Sequence, residues 1–330
     1  MENFKSFWSE SNQINLPVDP ENNLLPFLSP TAAGTNYWDS PNEVLDSLSV
    51  REYHRIIGQA IEIYNIISAG KNISEYKTLL DVGTGNGLVP RLLAHIIPTI
   101  NCIGIDPFLH GGHKTSWQKT DLESDMKLIL EMFNKEYEHL KVNNQNQKNY
   151  KEYKLYLDEY LMKDDFERSD IVYCKAIEHV PNWKSFAKDL AYSVSRKGKL
   201  IIKHRSFYSY LGPHRYATSS IPWGHCILDE KEYSEYIDKF HHERSKDMKE
   251  FFFNNLSNPR MTSFELIETL REEKMVVSSI SYLKPKYYER QNHILNNYSE
   301  IVTLALRKNI KLSYEELTSG VIIYVFEKII

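Results

Sequence analysis

The segment LLDVGTGNGLVP, residues 79–90, is the sharpest chemical feature of the chain. A carboxylate, Asp81, lies near the end of an apolar run, and Gly83, Gly85 and Gly87 follow at two-residue spacing before a second apolar run. Glycines in such a strand-to-helix turn allow a tight bend and let a ligand approach the backbone, where a side chain would obstruct it. A dinucleotide fingerprint needs glycine or alanine at position 88, which is Leu88 here, and no Gly-Lys-Ser/Thr follows for a phosphate loop. The pattern predicts a nucleoside-type site without a pyrophosphate, because Asp81 is badly suited to packing beside phosphates. Asp106 agrees. It ends the next apolar run, 19 residues beyond Gly87, where a carboxylate accepts hydrogen bonds from both ribose hydroxyls.

A second set of residues could move a proton. The apolar run DIVYC ends at Cys174 and delivers Lys175, Ile177, Glu178 and His179, and the aromatic, turn-rich segment 206–228 carries His214, Arg215, Tyr216, Trp223 and His225. Imidazole is the natural base near neutral pH. His225 and His214 are the first two candidates and His179 the third. Each is weighed against a purely structural role, which for His179 is holding the turn before Pro181.

These residues need elements to place them. Short apolar runs at 79–83, 101–106, 154–158, 170–174 and 198–204 alternate with helical patterns at 88–97, 121–140 and 183–194. That rhythm predicts an α/β fold with a mostly parallel sheet buried on both faces. Ligands of such sheets bind beyond the C-terminal strand ends. Upstream, Ser49 and Glu52 have capping-box spacing at the head of a helix over 50–67 that stops near Gly70, and residues 1–36 read as an extended arm or a loop draped over the fold. Downstream, 229–254 reads as one long charged helix, 263–273 as a helix opened by Thr262 and Glu265, and 288–308 as a helix, with strands at 276–283 and 320–328. The expected organisation is an N-terminal arm and cap helix over 1–77 and one domain over 78–330, with insertions at about 107–150 and 206–260.

Composition narrows the class. The 330 residues are 42% hydrophobic and include 22 Tyr, 14 Phe and 5 Trp, which excludes a disordered chain. The net charge of −4 shows no basic excess, which argues against nucleic acid as a partner. Three scattered cysteines, no signal-peptide core and no apolar run of about 20 residues predict a cytoplasmic protein without a transmembrane segment.

LLDVGTGNG, CIGID and DIVYCKAIEHV with NW after it resemble the motifs of the class I (Rossmann-like) S-adenosylmethionine-dependent methyltransferases, small-molecule branch. The resemblance covers about 78–205 and 262–328. It implies a three-layer sandwich with a seven-stranded, mostly parallel sheet whose last strand is antiparallel. It implies S-adenosyl-L-methionine as cofactor and S-adenosyl-L-homocysteine as product. Gly83, Gly85 and Gly87 match the loop under the methionine part, Asp81 lies near its amino group, and Asp106 matches the ribose-binding acid. Asp158, or equally Glu159, approximates the residue facing the adenine edge, and Lys175 lies beside the donor.

Some similar enzymes bind a divalent ion through Glu-x-x-Glu-His. Here Lys175 replaces the first glutamate and would repel a dication, so no metal is expected, although Glu178, His179, His214 and His225 offer an alternative set. The resemblance points to methylation of a small-molecule hydroxyl with histidine as base, under a roof formed by the insertions. N-methylation, methylation of RNA or protein, and a catalytically silent binding or assembly subunit are the alternatives. Leu88 speaks against a nicotinamide-dependent oxidoreductase. The helix at 229–254 would support the roof or form an oligomer contact, such as a homodimer's.

Overall fold

The computed structural model describes residues 5–18, 50–69, 72–109, 122–140, 142, 149–210, 212–213, 219–242, 245–256, 259–285 and 287–329. The chain opens with an antiparallel hairpin, β1 (Lys5–Ser9) and β2 (Ile14–Val18), followed by helix α1 (Val50–Ser68). The α/β alternation then runs β3 (Thr78–Val82), α2 (Leu88–Ile96), β4 (Asn101–Ile105), α3 (Leu122–Glu136), β5 (Tyr150–Tyr153), α4 (Leu157–Leu161), β6 (Ser169–Cys174), α5 (Trp183–Ser193) and β7 (Val194–His204). Three helices follow, α6 (Gly224–Ile227), α7 (Glu230–His241) and α8 (Ser245–Phe251), the last continuing into a π turn over Phe252–Leu256. The chain closes with α9 (Ser263–Glu272), β8 (Met275–Leu283), α10 (Tyr288–Asn297), α11 (Ser299–Lys308), α12 (Tyr314–Thr318) and β9 (Val321–Lys328).

Seven strands form one sheet in the order β5-β4-β3-β6-β7-β9-β8. The first five are mutually parallel, and β9 is antiparallel to both of its neighbours. Alternating side chains bury both faces, as β3 illustrates. Leu79 packs with α1, α2 and α3 on one side, while Leu80 and Val82 pack with α4, α5 and α9 on the other. The result is the expected three-layer α/β sandwich. Strand order reverses direction between β3 and β6, the switch point where the C-terminal strand ends leave a crevice.

A second core lies apart from the sheet. It joins Leu16 and Val18 of the hairpin, Trp223, Ile227, Tyr233 and Tyr236 of the 206–256 segment, and Ile294, Ile301 and Leu317 from between β8 and β9. Full burial of each such side chain contributes about 1.5–3 kcal/mol. Polar contacts fix the pieces together. Trp223 Nε1 donates to the Leu317 carbonyl at 3.0 Å, and Glu232 of α7 accepts from Ser9 Oγ at 2.8 Å and Ser11 N at 2.9 Å.

Several expectations need correction. The region read as an arm contains a hairpin, whose Pro17 sits in a two-stranded edge ladder that tolerates it. The strand read at 154–158 is replaced by β5 at 150–153, and Asp158 falls in the first turn of α4, where Glu159 Oε2 accepts from the Tyr156 amide at 2.8 Å. The helix read over 229–254 ends at His242, which has φ 37°, and a second helix starts at Ser245. The helix read near 288–308 divides at Tyr298. Thr262 and Glu265 do form the expected reciprocal cap. Ser49 and Gly70 lie outside the described residues. Among the described residues no helix is long and apolar enough to cross a membrane.

Candidate cofactor and transfer site

The glycine loop follows from its backbone angles. Gly83, Gly85 and Gly87 have φ of 77°, 65° and 74°, in the left-handed region that only glycine enters cheaply. Their spatial surroundings differ. A Cβ on Gly83 would lie 2.5 Å from the Ala176 Cβ, so this glycine permits close packing of the loop on the segment after β6. A Cβ on Gly85 would meet nothing within 4 Å, so the Cα of this glycine borders open space. Gly87 stands at the N-cap of α2, and Leu88, fully buried, begins the helix.

The loop is tied to the end of β4. Gly83 N and Thr84 N donate to the Ile105 carbonyl at 2.9 and 3.2 Å. Asp106 completes the tie, its Oδ2 accepting from Gly85 N at 2.9 Å and its Oδ1 from Phe108 N at 2.7 Å. Beneath the loop Asp81 is 2% exposed, and burial raises its carboxyl to about 7 against the pull of Lys175. The structure thus brings Asp81, Gly83, Gly85, Gly87, Asp106 and Lys175 to one end of the sheet. Asp158 is exposed, at the head of α4.

Two aromatic residues that the sequence analysis passed over belong with this set. Phe108 and Tyr156 are 42% and 54% exposed and meet edge to face with ring centroids 6.5 Å apart. Phe108 is two residues beyond Asp106, and Tyr156 two before Asp158. An aromatic directly after the second motif was the available signal.

The histidines separate. His225 is 2% exposed inside the second core, where its Nε2 lies 2.7 Å from the Phe207 carbonyl and 3.1 Å from the Ser209 carbonyl. Both partners are acceptors, so Nε2 carries the proton, and burial lowers the ring's pKa to about 4. A ring that weak, with its Nε2 proton held by two carbonyls, does not suit the base role first assigned to it. His179 is exposed at the end of the 3₁₀ turn Ile177–His179. His214, with Arg215 and Tyr216, lies outside the described residues.

The structure offers a different histidine. His204, the last residue of β7, is 3% exposed, and its Nδ1 lies 3.7 Å from Oε2 of Glu178, itself 9% exposed. Neither ring nitrogen nor that carboxylate oxygen has a hydrogen-bond partner. Despite burial, the neighbouring imidazole holds the Glu178 carboxyl below the ordinary carboxylate range. His204 ends β7 and Glu178 lies in the turn after the adjacent β6, 26 residues apart in the chain, so local spacing could not reveal the pair. Among the described residues no three His, Cys, Asp or Glu side chains are grouped to hold a metal ion.

No family model and no curated protein matches the chain. Solved structures with a similar chain path include phosphoethanolamine N-methyltransferase 2 from Haemonchus contortus, at 14% identity and TM-score 0.45, covering 91% of this chain and 59% of that one. Magnesium protoporphyrin IX methyltransferase from Synechocystis PCC 6803 is 10% identical with TM-score 0.44, covering 84% of each chain. An O-methyltransferase family protein from Burkholderia thailandensis is 8% identical with TM-score 0.41, covering 84% of this chain and 58% of that one. By its own strand order, the chain has a Rossmann-like α/β fold with a glycine loop at the switch point.

Proposed function

We propose that the chain transfers a methyl group from S-adenosylmethionine to a hydroxyl of a small-molecule acceptor, with a histidine accepting the proton. The observation that carries this is the left-handed Gly83–Gly87 loop held between two carboxylates, with Gly85 opening on free space and Asp106 bonded to its amide. Two acidic groups flanking the loop suit a cationic nucleoside better than a pyrophosphate. Asp106 has lone pairs left for ribose hydroxyls, Asp81 suits an ammonium, and Phe108 and Tyr156 with Asp158 suit the adenine. When bound, the cofactor supplies an electrophilic methyl group on a sulfonium.

What remains for the protein is alignment, exclusion of water and removal of one proton. His204 is the residue whose surroundings fit the last task. Glu178 beside Nδ1 favours the tautomer with the proton on that nitrogen, leaves Nε2 as acceptor, and stabilises the imidazolium once formed. His179, at the mouth of the same turn, is the second candidate, and an amine acceptor is the alternative to a hydroxyl.

The test is to follow a radiolabelled methyl group from S-adenosylmethionine into a cell extract. Label in the low-molecular-mass fraction is expected. Label confined to RNA or protein would place the acceptor among macromolecules, and no transfer would favour the binding-subunit alternative.

A further inference from the structure

In a chain of net charge −4, four cationic side chains gather at the C-terminal ends of β6 and β7. Lys175 follows β6, while Lys203 and Arg205 bracket His204. Cys174 pairs with Ile202 in the register, so Lys175 and Lys203 stand side by side. Helix α1 crosses this face with Arg55, Gln59 and Glu62, which helical spacing places on one stripe. Gln59 Oε1 accepts from Lys175 Nζ at 3.3 Å, and Glu62 takes Lys203 Nζ at 2.8 Å on both oxygens.

The nearby acids are otherwise engaged. Glu62 holds Lys203, Glu52 holds Arg55 at 2.6 Å, and Glu178 faces His204. Asp81 is buried beneath the glycine loop. Among the described residues, no ion pair forms at Lys175 or Arg205. Lys175 is half-buried, and burial together with the like charges of Arg55, Lys203 and Arg205 lowers its ammonium to about 8. A half-buried ammonium that faces three like charges, makes no ion pair and feels only the more distant pull of Glu178 and Asp81 is costly. Arg205 is exposed one residue beyond the end of the strand that carries His204.

We propose that Lys175 and Arg205, backed by Arg55, receive an anionic group of the methyl acceptor, which is therefore an organic acid or phosphate ester and not a neutral molecule. This rests on the transfer reaction proposed above and adds the acceptor's charge. A planar guanidinium and an ammonium on adjacent strand ends match the oxygens of a carboxylate or phosphate, and the anion would remove the repulsion that Lys175 endures.

The test uses the full chain saturated with S-adenosylhomocysteine and titrated at constant ionic strength with inorganic phosphate, and separately with acetate. One anion per chain is expected, the tighter of the two indicating the acceptor's group. Arg205→Gln, at an exposed position, should weaken anion binding at least about tenfold while leaving S-adenosylhomocysteine affinity within about twofold. Lys175→Gln should weaken it as well. Absence of binding by both anions, or an Arg205→Gln variant that binds them as the wild type does, overturns the proposal. So does anion binding that S-adenosylhomocysteine abolishes, because the donor's own carboxylate then fills the site. If S-adenosylhomocysteine itself fails to bind, the transfer reading falls. Titration of the free chain then still decides whether an Arg205-dependent anion site exists.

Discussion

The Gly85 amide donates to Asp106 Oδ2 at 2.9 Å, so the carboxylate expected to hold a ribose also fixes the loop expected to cradle the methionine. Two strand ends, β3 and β4, are thereby locked into one surface. Asp106→Ala removes both functions. Cofactor affinity should fall by about 1.5–3 kcal/mol, the scale of hydrogen bonds to a charged group, and calorimetry would measure it. Unchanged affinity would mean that Asp106 only shapes the loop.

Asp81 predicts a pH dependence of cofactor binding. Its carboxyl titrates near 7 in the folded chain because it is buried. To accept an ammonium it must be ionised, so S-adenosylhomocysteine affinity should fall by up to about tenfold per pH unit below 7. Asp81→Asn should flatten that profile. The variant should also stabilise the free protein. A carboxyl raised from about 4 to about 7 favours the fold at low pH and loses that contribution as pH rises, so at pH 8 the neutral amide should add up to about 4 kcal/mol. Urea unfolding at pH 5 and pH 8 measures the difference.

His225 shifts in the other direction and gives the opposite slope. Folded, it takes a proton only near pH 4, whereas an unfolded histidine does so near pH 6.5. Between those values the unfolded chain binds the extra proton, so stability is lost on acidification from pH 7 to 4, by about 3 kcal/mol from this residue. In His225→Gln that part of the acid sensitivity should vanish, and cofactor affinity should not change. A His225→Gln chain with wild-type stability but a methyl-transfer rate reduced 100-fold would restore His225 as the base.

For the proton acceptor, His204→Gln should lower the single-turnover transfer rate by about 10²–10⁴-fold with cofactor affinity intact. Glu178→Gln should have a smaller effect and shift the pH–rate profile, since it removes the charge beside Nδ1. A His179→Gln variant that loses more rate than His204→Gln would move the role to the exposed histidine.

Gly83→Ala and Gly85→Ala separate packing from ligand access. Both impose a side chain at positive φ, at about 1–2 kcal/mol. Gly83→Ala also drives a Cβ into Ala176, so it should destabilise the fold more. Gly85→Ala projects into free space and should cost little further stability while blocking the cofactor. Thermal unfolding and titration of both variants would show this split.

The sheet was legible because its signals are local. Most of its strands are short apolar runs, β5 (YKEY) being the exception, the glycine triplet requires a turn, and Asp106 follows at a fixed distance along the same unit. The second core was not, because it assembles three distant segments. Trp223 meets Leu317 and Ser9 meets Glu232 across more than ninety residues. Within that core, 206–228 looked like a pocket rim because it is aromatic, yet Tyr210, Trp223 and His225 are interior. The His204–Glu178 pair was hidden for the same reason, since only strand pairing places the two ends together. Asp158 was misplaced because KLYLD alternates like a strand, whereas the strand is the polar YKEY before it and Leu157 already begins a helix.

The central claim is that the Gly83–Gly87 loop and Asp106 form a site for a methylsulfonium nucleoside. Calorimetric titration of the full chain with S-adenosylhomocysteine, and in parallel with NAD, tests it most directly. Saturable one-to-one binding of S-adenosylhomocysteine, weakened in Asp106→Ala and absent for NAD, is the predicted result. Heat with NAD and none with S-adenosylhomocysteine or S-adenosylmethionine would contradict it.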